Sequence, residues 1–214
     1  MFINIHSPHP SQPNEWAIKN LYKNFDRIES GGIYSTGLHP WFLLADNWQD
    51  QMNVLKKTSI QNNVVAIGEC GLDKVCSTDM ALQQAAFIAQ INWANEINKP
   101  LIIHCVRAYQ EVLLLLKQLD NKVPVIFHGF NKNITLANTI IDHGYYLSFG
   151  KALFQQRTKE VFAAIPLETV FTETHDANIT IDSIYTEAAA AKNISVEALS
   201  LQIQKNAIAV FKRL

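Results

Sequence analysis

The sequence predicts an α/β fold in which seven or eight parallel strands form a compact, TIM-like (β/α) barrel, and three observations carry that expectation. Short runs rich in β-branched and aromatic residues alternate with longer segments of helical period along the 214 residues, the pattern of successive βα units. No G-x-G-x-x-G or G-x-x-x-x-G-K-[ST] turn occurs, so the phosphate cradle of an open nucleotide-binding sheet is missing. Instead His6, His39, Glu69, His104, His128 and His175 each follow a different strand-like run. Reactive groups spread over many strand ends are what the mouth of a barrel collects.

Taken in order, the runs that read as strands are Phe2–Ile5, Ile33–Ser35, Val64–Ile67, Leu101–Ile103, Val125–Phe127, Tyr145–Ser148 and Val170–Thr172. An eighth would be very short, formed near Lys192–Ile194, or absent. The clearest helix spans Asp79–Asn98, with Phe87, Ile88, Ile91 and Ala94 on one face and Lys99-Pro100 closing it. Ala108–Leu119 and Ile134–Asp142 follow, the latter stopped by Gly144, beside which His143 reads as a capping residue. Thr180 and Ser195 are placed to cap two final helices, whose apolar stripes run through Ile184 and Tyr185 and through Leu199 and Ile203. No linker or charge block divides the chain, which predicts a single domain over residues 1–214.

Hydrophobic residues make up 48% of the chain, enough for a real core. Eighteen Lys and Arg against nineteen Asp and Glu give a net charge of −1, which excludes a generic basic field for nucleic acid or anionic membrane. Cys70, Cys76 and Cys105 are odd in number and lack C-x-x-C spacing, as expected of reduced thiols. No window approaches the ~18–20 apolar residues of a membrane span, and Met1–Ile5 lacks the pattern of a signal peptide. The expectation is a cytoplasmic monomer without membrane association or an obligate protein partner. Its length is short beside the ~250 residues of a typical barrel.

In Ala66–Asp73, Glu69 follows an apolar strand between Gly68 and Gly71, glycines expected to let the backbone turn and a ligand approach. In Pro100–Ala108 the run Leu101–Ile103 delivers His104 to a strand end, with Arg107 near the start of the next helix. Val125–Phe130 repeats the device with His128. A lone histidine after a strand is usually a loop or core residue, and the conjunction is what points elsewhere. One glutamate and two histidines at a barrel mouth make a three-ligand site for a borderline divalent metal with room for water. Trp16, Trp41, Trp48 and Trp93 read chiefly as packing residues, with base stacking the alternative.

The runs Ile67–Asp73, Ile102–Ala108, His128–Phe130 with Gly144–Ser148, and Gly37–Trp41 together resemble the TatD family of metal-dependent hydrolases, within the amidohydrolase superfamily. The resemblance implies a (β/α) barrel, one or two divalent ions (Mg, Mn or Zn) and phosphodiester hydrolysis, several members being deoxyribonucleases. It implies Glu69, His104, His128, His6 and His175 as metal ligands, and Glu69, His175 and Asp176 as catalytic residues. His39 and Arg107 are then candidates for substrate phosphate, Arg107 through its planar donor fork. The implied substrate is DNA or a small phosphoester.

Two departures from the family pattern fall on one metal position. The first strand of the family ends in H-x-H, whereas here His6-Ser7-Pro8-His9 puts proline in the second histidine's place. The seventh ends in E-T-D, whereas here Glu173-Thr174-His175 precedes Asp176. The resemblance therefore implies one firmly held ion at Glu69, His104 and His128, and a second that is weak, altered in identity or absent. His6, His9, His175 or Asp176 are the residues available to rebuild it. Two alternatives stand beside a nuclease: an amidohydrolase-type enzyme cleaving a small ester, amide or phosphoester, and a degenerate barrel with a binding role.

Overall fold

A computed structural model of the chain describes residues 1–9, 12–23, 25 and 28–212. Among these are the strands β1 (Phe2–Ser7), β2 (Glu15–Leu21), β3 (Tyr34–Thr36), β4 (Val64–Asp73), β5 (Leu101–Val106), β6 (Val125–Phe127), β7 (Tyr146–Phe149) and β8 (Val170–Thr172). The helices are α1 (Trp48–Ser59), α2 (Met80–Ile97), α3 (Tyr109–Gln118), α4 (Ile134–Asp142), α5 (Gln156–Ala164), α6 (Ile181–Lys192) and α7 (Val196–Phe211). Strand order follows chain order from β1 to β8, with parallel pairing in the β1–β2, β3–β4, β4–β5, β6–β7 and β7–β8 ladders. This is the βα succession expected of the barrel class. No helix among the described residues is long and apolar enough to cross a membrane.

The eighth strand is β2, not a segment near Lys192–Ile194. There Asn193 adopts a left-handed conformation (φ 55°) and ends α6. The run Glu15–Leu21 hides its strand character because Lys19 and Asn20 interrupt its apolar residues, although Trp16, Ala17 and Ile18 are all buried. Two helices also lie where the sequence shows no clear period. In α1 the buried residues are Met52, Leu55, Thr58 and Ser59, and in α5 they are Thr158, Val161 and Phe162, stripes too narrow and too polar to stand out.

The described residues fall into two compact units. The first comprises residues 1–19 and 126–214. Its core includes Phe149, Phe162, Phe171, Ile184 and Ile203, all buried. The Tyr185 hydroxyl accepts the backbone N–H of Ile3 at 2.9 Å and lies 3.3 Å from the Ile3 carbonyl, which also accepts from Thr172 Oγ1 at 3.0 Å. Strand β1 is thereby fastened from α6 and β8. Asn206 of α7 donates to the carbonyls of Leu167 and Val170, and Thr180 and Ser195 cap α6 and α7 as expected. His143 reaches back to the Thr139 carbonyl at 2.7 Å, and Gly144 (φ 78°) ends α4.

The second unit comprises residues 20–125, with Leu55, Phe87, Ile91, Leu101 and Leu116 in its core. Helix α2 is capped by Asp79, whose carboxylate accepts the Leu82 N–H, and ends at left-handed Asn98. Two buried glutamines on its inner face tie down loops. Gln90 accepts the Leu38 N–H at 2.7 Å and donates to the Leu38 carbonyl at 3.2 Å. Gln83 does the same for Asp73, at 2.8 and 3.0 Å. Burying an amide costs free energy unless its hydrogen bonds are replaced, and these glutamines meet buried backbone groups of Leu38 and Asp73.

Tyr185 gives a direct test of the β1 anchorage. Tyr185→Phe removes the acceptor for a buried N–H and should lower stability by about 1–3 kcal/mol, read as a drop in the urea midpoint at unchanged slope.

Candidate metal centre

In the second unit the position of Glu69 depends on an irregularity. Gly68 pairs with Ile102 and Cys70 with Ile103, leaving Glu69 as an extra residue in β4. A bulge of this kind re-aims a side chain that strict alternation would send elsewhere. The flanking glycines serve the neighbouring strand rather than a ligand, contrary to the expectation from sequence. A Cβ at Gly68 would lie 2.5 Å from the Ile102 carbonyl oxygen, and one at Gly71 2.1 Å from that of His104. Asn20, near the end of β2, clamps the bulge: its Nδ2 donates to Glu69 Oε1 at 2.8 Å, and its Oδ1 accepts the Glu69 N–H at 2.9 Å and the Ser35 hydroxyl at 3.1 Å. Cys70 next door is fully buried, and burial together with the Glu69 charge pushes its thiol pKa up, so it packs as a neutral group.

Glu69 is only 5% exposed. Its Oε2 lies 3.4 Å from Nδ1 of His104 and 3.6 Å from Nε2 of His39, and the two ring nitrogens are 3.3 Å apart. The second nitrogen of each ring assigns the roles. His104 Nε2 contacts Asp73 Oδ2 at 2.9 Å, which puts its proton there and turns the Nδ1 lone pair toward Glu69. His39 Nδ1 accepts the Trp41 N–H at 3.1 Å, which puts the proton of a neutral ring on Nε2. His39 thus stabilises its own turn and presents an N–H donor to the same point, whereas Glu69 and His104 present lone pairs.

Asp73 completes this half. Burial works against its ionised form, but hydrogen bonds from His104, Trp41 and the Val75 N–H outweigh that and hold its pKa below the ordinary value. The Trp41 indole donates to Oδ2 at 2.7 Å. The fit to a metal rests on one separation: 3.4 Å between Glu69 Oε2 and His104 Nδ1 matches the edge of a four-coordinate ion with bonds of about 2.1 Å. Arg107 stands exposed at the end of β5 with φ 53°.

The first unit gathers the other histidines. Ring centroids are 4.7 Å apart for His6 and His128, 4.9 Å for His6 and His175, and 5.5 Å for His128 and His175, at interplanar angles of 17°, 25° and 8°. One ring nitrogen of each lies within 4.8 Å of the others. His175 is left-handed (φ 51°), and its N–H donates to the His6 carbonyl at 2.9 Å. Glu173, fully buried, stands 3.5 Å from His128 Nδ1. Burial opposes its ionisation, yet His128, His6 and Ser148 hold its pKa below the usual carboxylate range. Asp176 is exposed and its carboxyl is also held low, first by the His175 ring. Pro8 and His9 are exposed, and His9 is not among the clustered ring nitrogens.

Sequence reasoning missed Asn20, Asp73 and Glu173 as functional residues. The last two had a signal, each being a carboxylate closing an apolar strand. Asp73 is also testable by acid. Its folded pKa lies below the ordinary 3.8, so its stabilisation is fully present above that pH and is lost as pH falls through the folded value. In metal-free protein, Asp73→Asn should show its full stability deficit at neutral pH, and urea unfolding should show that deficit shrinking below pH 3.8.

The family profile of TatD-related DNases matches residues 12–212. A metal-dependent hydrolase of Buchnera aphidicola subsp. Baizongia pistaciae is 26% identical over 84% of this chain and 74% of its own. The 3'-5' ssDNA/RNA exonuclease TatD of Escherichia coli is 30% identical over 65% of this chain and 56% of its own, so the chain spans little more than half of that relative's length. The crystal structure of YJJV, a TatD homologue from Escherichia coli, superposes with a TM-score of 0.80 at 20% identity, covering 92% of this chain and 86% of that one. That likeness establishes the fold as the TIM-like (β/α) barrel with eight strands. Because the profile runs over nearly the whole sequence, the protein belongs to the TatD-related DNase family of metal-dependent hydrolases.

Proposed function

We propose that this chain hydrolyses phosphodiester bonds near the ends of single-stranded DNA, as a cytoplasmic monomer using one or two divalent ions. The observation that carries this reading is the buried Glu69–His104 pair, its ligand atoms 3.4 Å apart and its imidazole oriented by Asp73. A divalent ion supplies acidity to a bound water and polarises a phosphoryl oxygen. Glu69 and His104 are the proposed ligands in the second unit, and His6, His128 and His175 those in the first. Glu69 is the anionic donor of its own cluster, and Asn20 fixes its orientation before any substrate arrives.

His39 Nε2 offers an N–H to a phosphate oxygen, and exposed Arg107 offers a planar fork to a second. Beside His39 the ring of Trp41 is 57% exposed. Tyr22 and Phe42 stack at 4.8 Å and 13°, with the Lys23 ammonium 4.4 Å from the Phe42 ring centre. Aromatic faces joined to a cation suit unpaired bases on a charged backbone. A few terminal nucleotides need only a few cations, which agrees with a net charge of −1. The exonuclease name of the Escherichia coli relative points the same way.

The test uses chelator-stripped protein and a 5′-labelled single-stranded oligonucleotide in Zn²⁺, Mn²⁺ or Mg²⁺. Shortening from the 3′ end is expected, with EDTA abolishing it and Glu69→Gln, shown to be folded by circular dichroism, slowing it by about a thousandfold or more. No cleavage with any metal, or undiminished cleavage by the variant, would overturn the proposal. A chain that hydrolyses a small phosphodiester but no oligonucleotide would be a small-molecule enzyme instead.

A further inference from the structure

We infer that a cavity beside β1, in the first unit, binds a small organic cation, a primary amine carrying an apolar body. None of its wall residues is among those proposed to hold metal or phosphate. The cavity follows from a gap in the helical layer. Strands β1 and β2 are parallel neighbours, yet only residues 8–14 join them. A parallel crossover ordinarily takes a dozen or more residues and a helix, and among the described residues no helix lies between these strands. Phe2, whose ring is 4.5 Å from that of Tyr185 on α6, marks the face of β1 that such a helix would help to cover. Between the connecting segment, β1 and the start of α6 the cavity encloses about 380 Å³, within the ~300–1,000 Å³ of small-molecule sites.

The wall selects the charge of its ligand. Glu15 and Asp182 stand on it, no lysine or arginine does, and neither carboxylate has an ion-pair partner among the described residues. Neutral donors hold Glu15, Asn4 Nδ2 at 2.7 Å from Oε1 and the Gln12 N–H at 2.9 Å from Oε2, and leave its charge uncompensated. An anion would meet two like charges there. Two hydroxyls on the same wall are more than nine-tenths buried, Ser7 at 3% and Thr174 at 8% exposure. Their oxygens accept from the His9 N–H and from Asn4 Nδ2, and neither hydroxyl donates to an acceptor among the described residues. Buried polar groups are ordinarily satisfied, so this spare capacity points to a polar guest. An ammonium brings three N–H donors, enough for a carboxylate and a hydroxyl oxygen together. Phe2, Ile179 and Ile181 supply apolar surface for the body of the amine.

The test is calorimetric titration of full-length, chelator-stripped protein with phenethylamine, and with phenethyl alcohol and hydrocinnamate as its neutral and anionic counterparts. The amine should bind about tenfold or more tightly than the alcohol, the effect of one charge-assisted contact, and hydrocinnamate no more tightly than the alcohol. Glu15→Gln keeps an oxygen for the neutral donors but removes the charge, and should weaken the amine by about tenfold or more; a thermal melt checks that it folds. Asp182 is exposed, and Asp182→Asn should weaken the amine by a smaller factor, about twofold or more. In methyl spectra the Ile179 signal, identified by its loss in Ile179→Val, should shift during the titration. Absence of amine binding, equal affinity for amine and alcohol, binding untouched by both charge variants, or an unmoved Ile179 signal would each overturn the inference.

Discussion

The arrangement around Glu69 depends on how a charged side chain can be buried. A carboxylate withdrawn from water is costly unless its lone pairs are met. Asn20 meets one of its oxygens and also binds the backbone N–H of Glu69. The two contacts answer two different demands. The amide hydrogen satisfies the charge, and the amide oxygen satisfies an N–H that the bulge removes from the β4–β5 ladder. A bulge without Asn20 would leave a buried donor unpaired, and Asn20 without the bulge would face a side chain aimed elsewhere.

From that point the constraint passes through hydrogen-bond polarity. Gln83 on α2 holds both backbone groups of Asp73, and Trp41 and the Val75 N–H fix its carboxylate. The carboxylate then decides which nitrogen of His104 carries the proton. Gln90 holds Leu38, the residue before His39, while the Trp41 N–H decides the proton on His39. Two histidines 3.3 Å apart thus have opposite characters. One presents a lone pair and the other a hydrogen, set by groups on the far side of each ring. Residue type alone would equate the two, whereas proton positions leave one ring an acceptor and the other a donor.

The legible parts of the fold are those decided within a few residues. The caps Thr180 and Ser195 satisfy N–H groups three positions on, and Gly144 ends α4 by its own backbone freedom. Helix α2 stands out because a long apolar face and a Lys-Pro stop coincide. Strand β2 does not, since Asn20 is buried for the sake of Glu69, a partner 49 positions away. Helices α1 and α5 bury too few large apolar side chains to announce themselves. The same division runs through the site. Glu69, His104 and His128 follow apolar strands and could be read, but the purpose of Gly68 and Gly71 could not, because the atoms they make room for belong to β5.

The division of carboxylates gives the two sets of residues different characters. Around His104 one carboxylate, Glu69, faces the ring's lone pair and another, Asp73, lies behind the ring. In the His6, His128 and His175 group the carboxylates Glu173 and Asp176 both contact Nδ1 atoms. Each of those carboxylates lies beside a ring nitrogen, where it bears on that ring's tautomer and basicity. With histidine at 175 and aspartate at 176, the carboxylate that follows β8 meets the ring of its own neighbour.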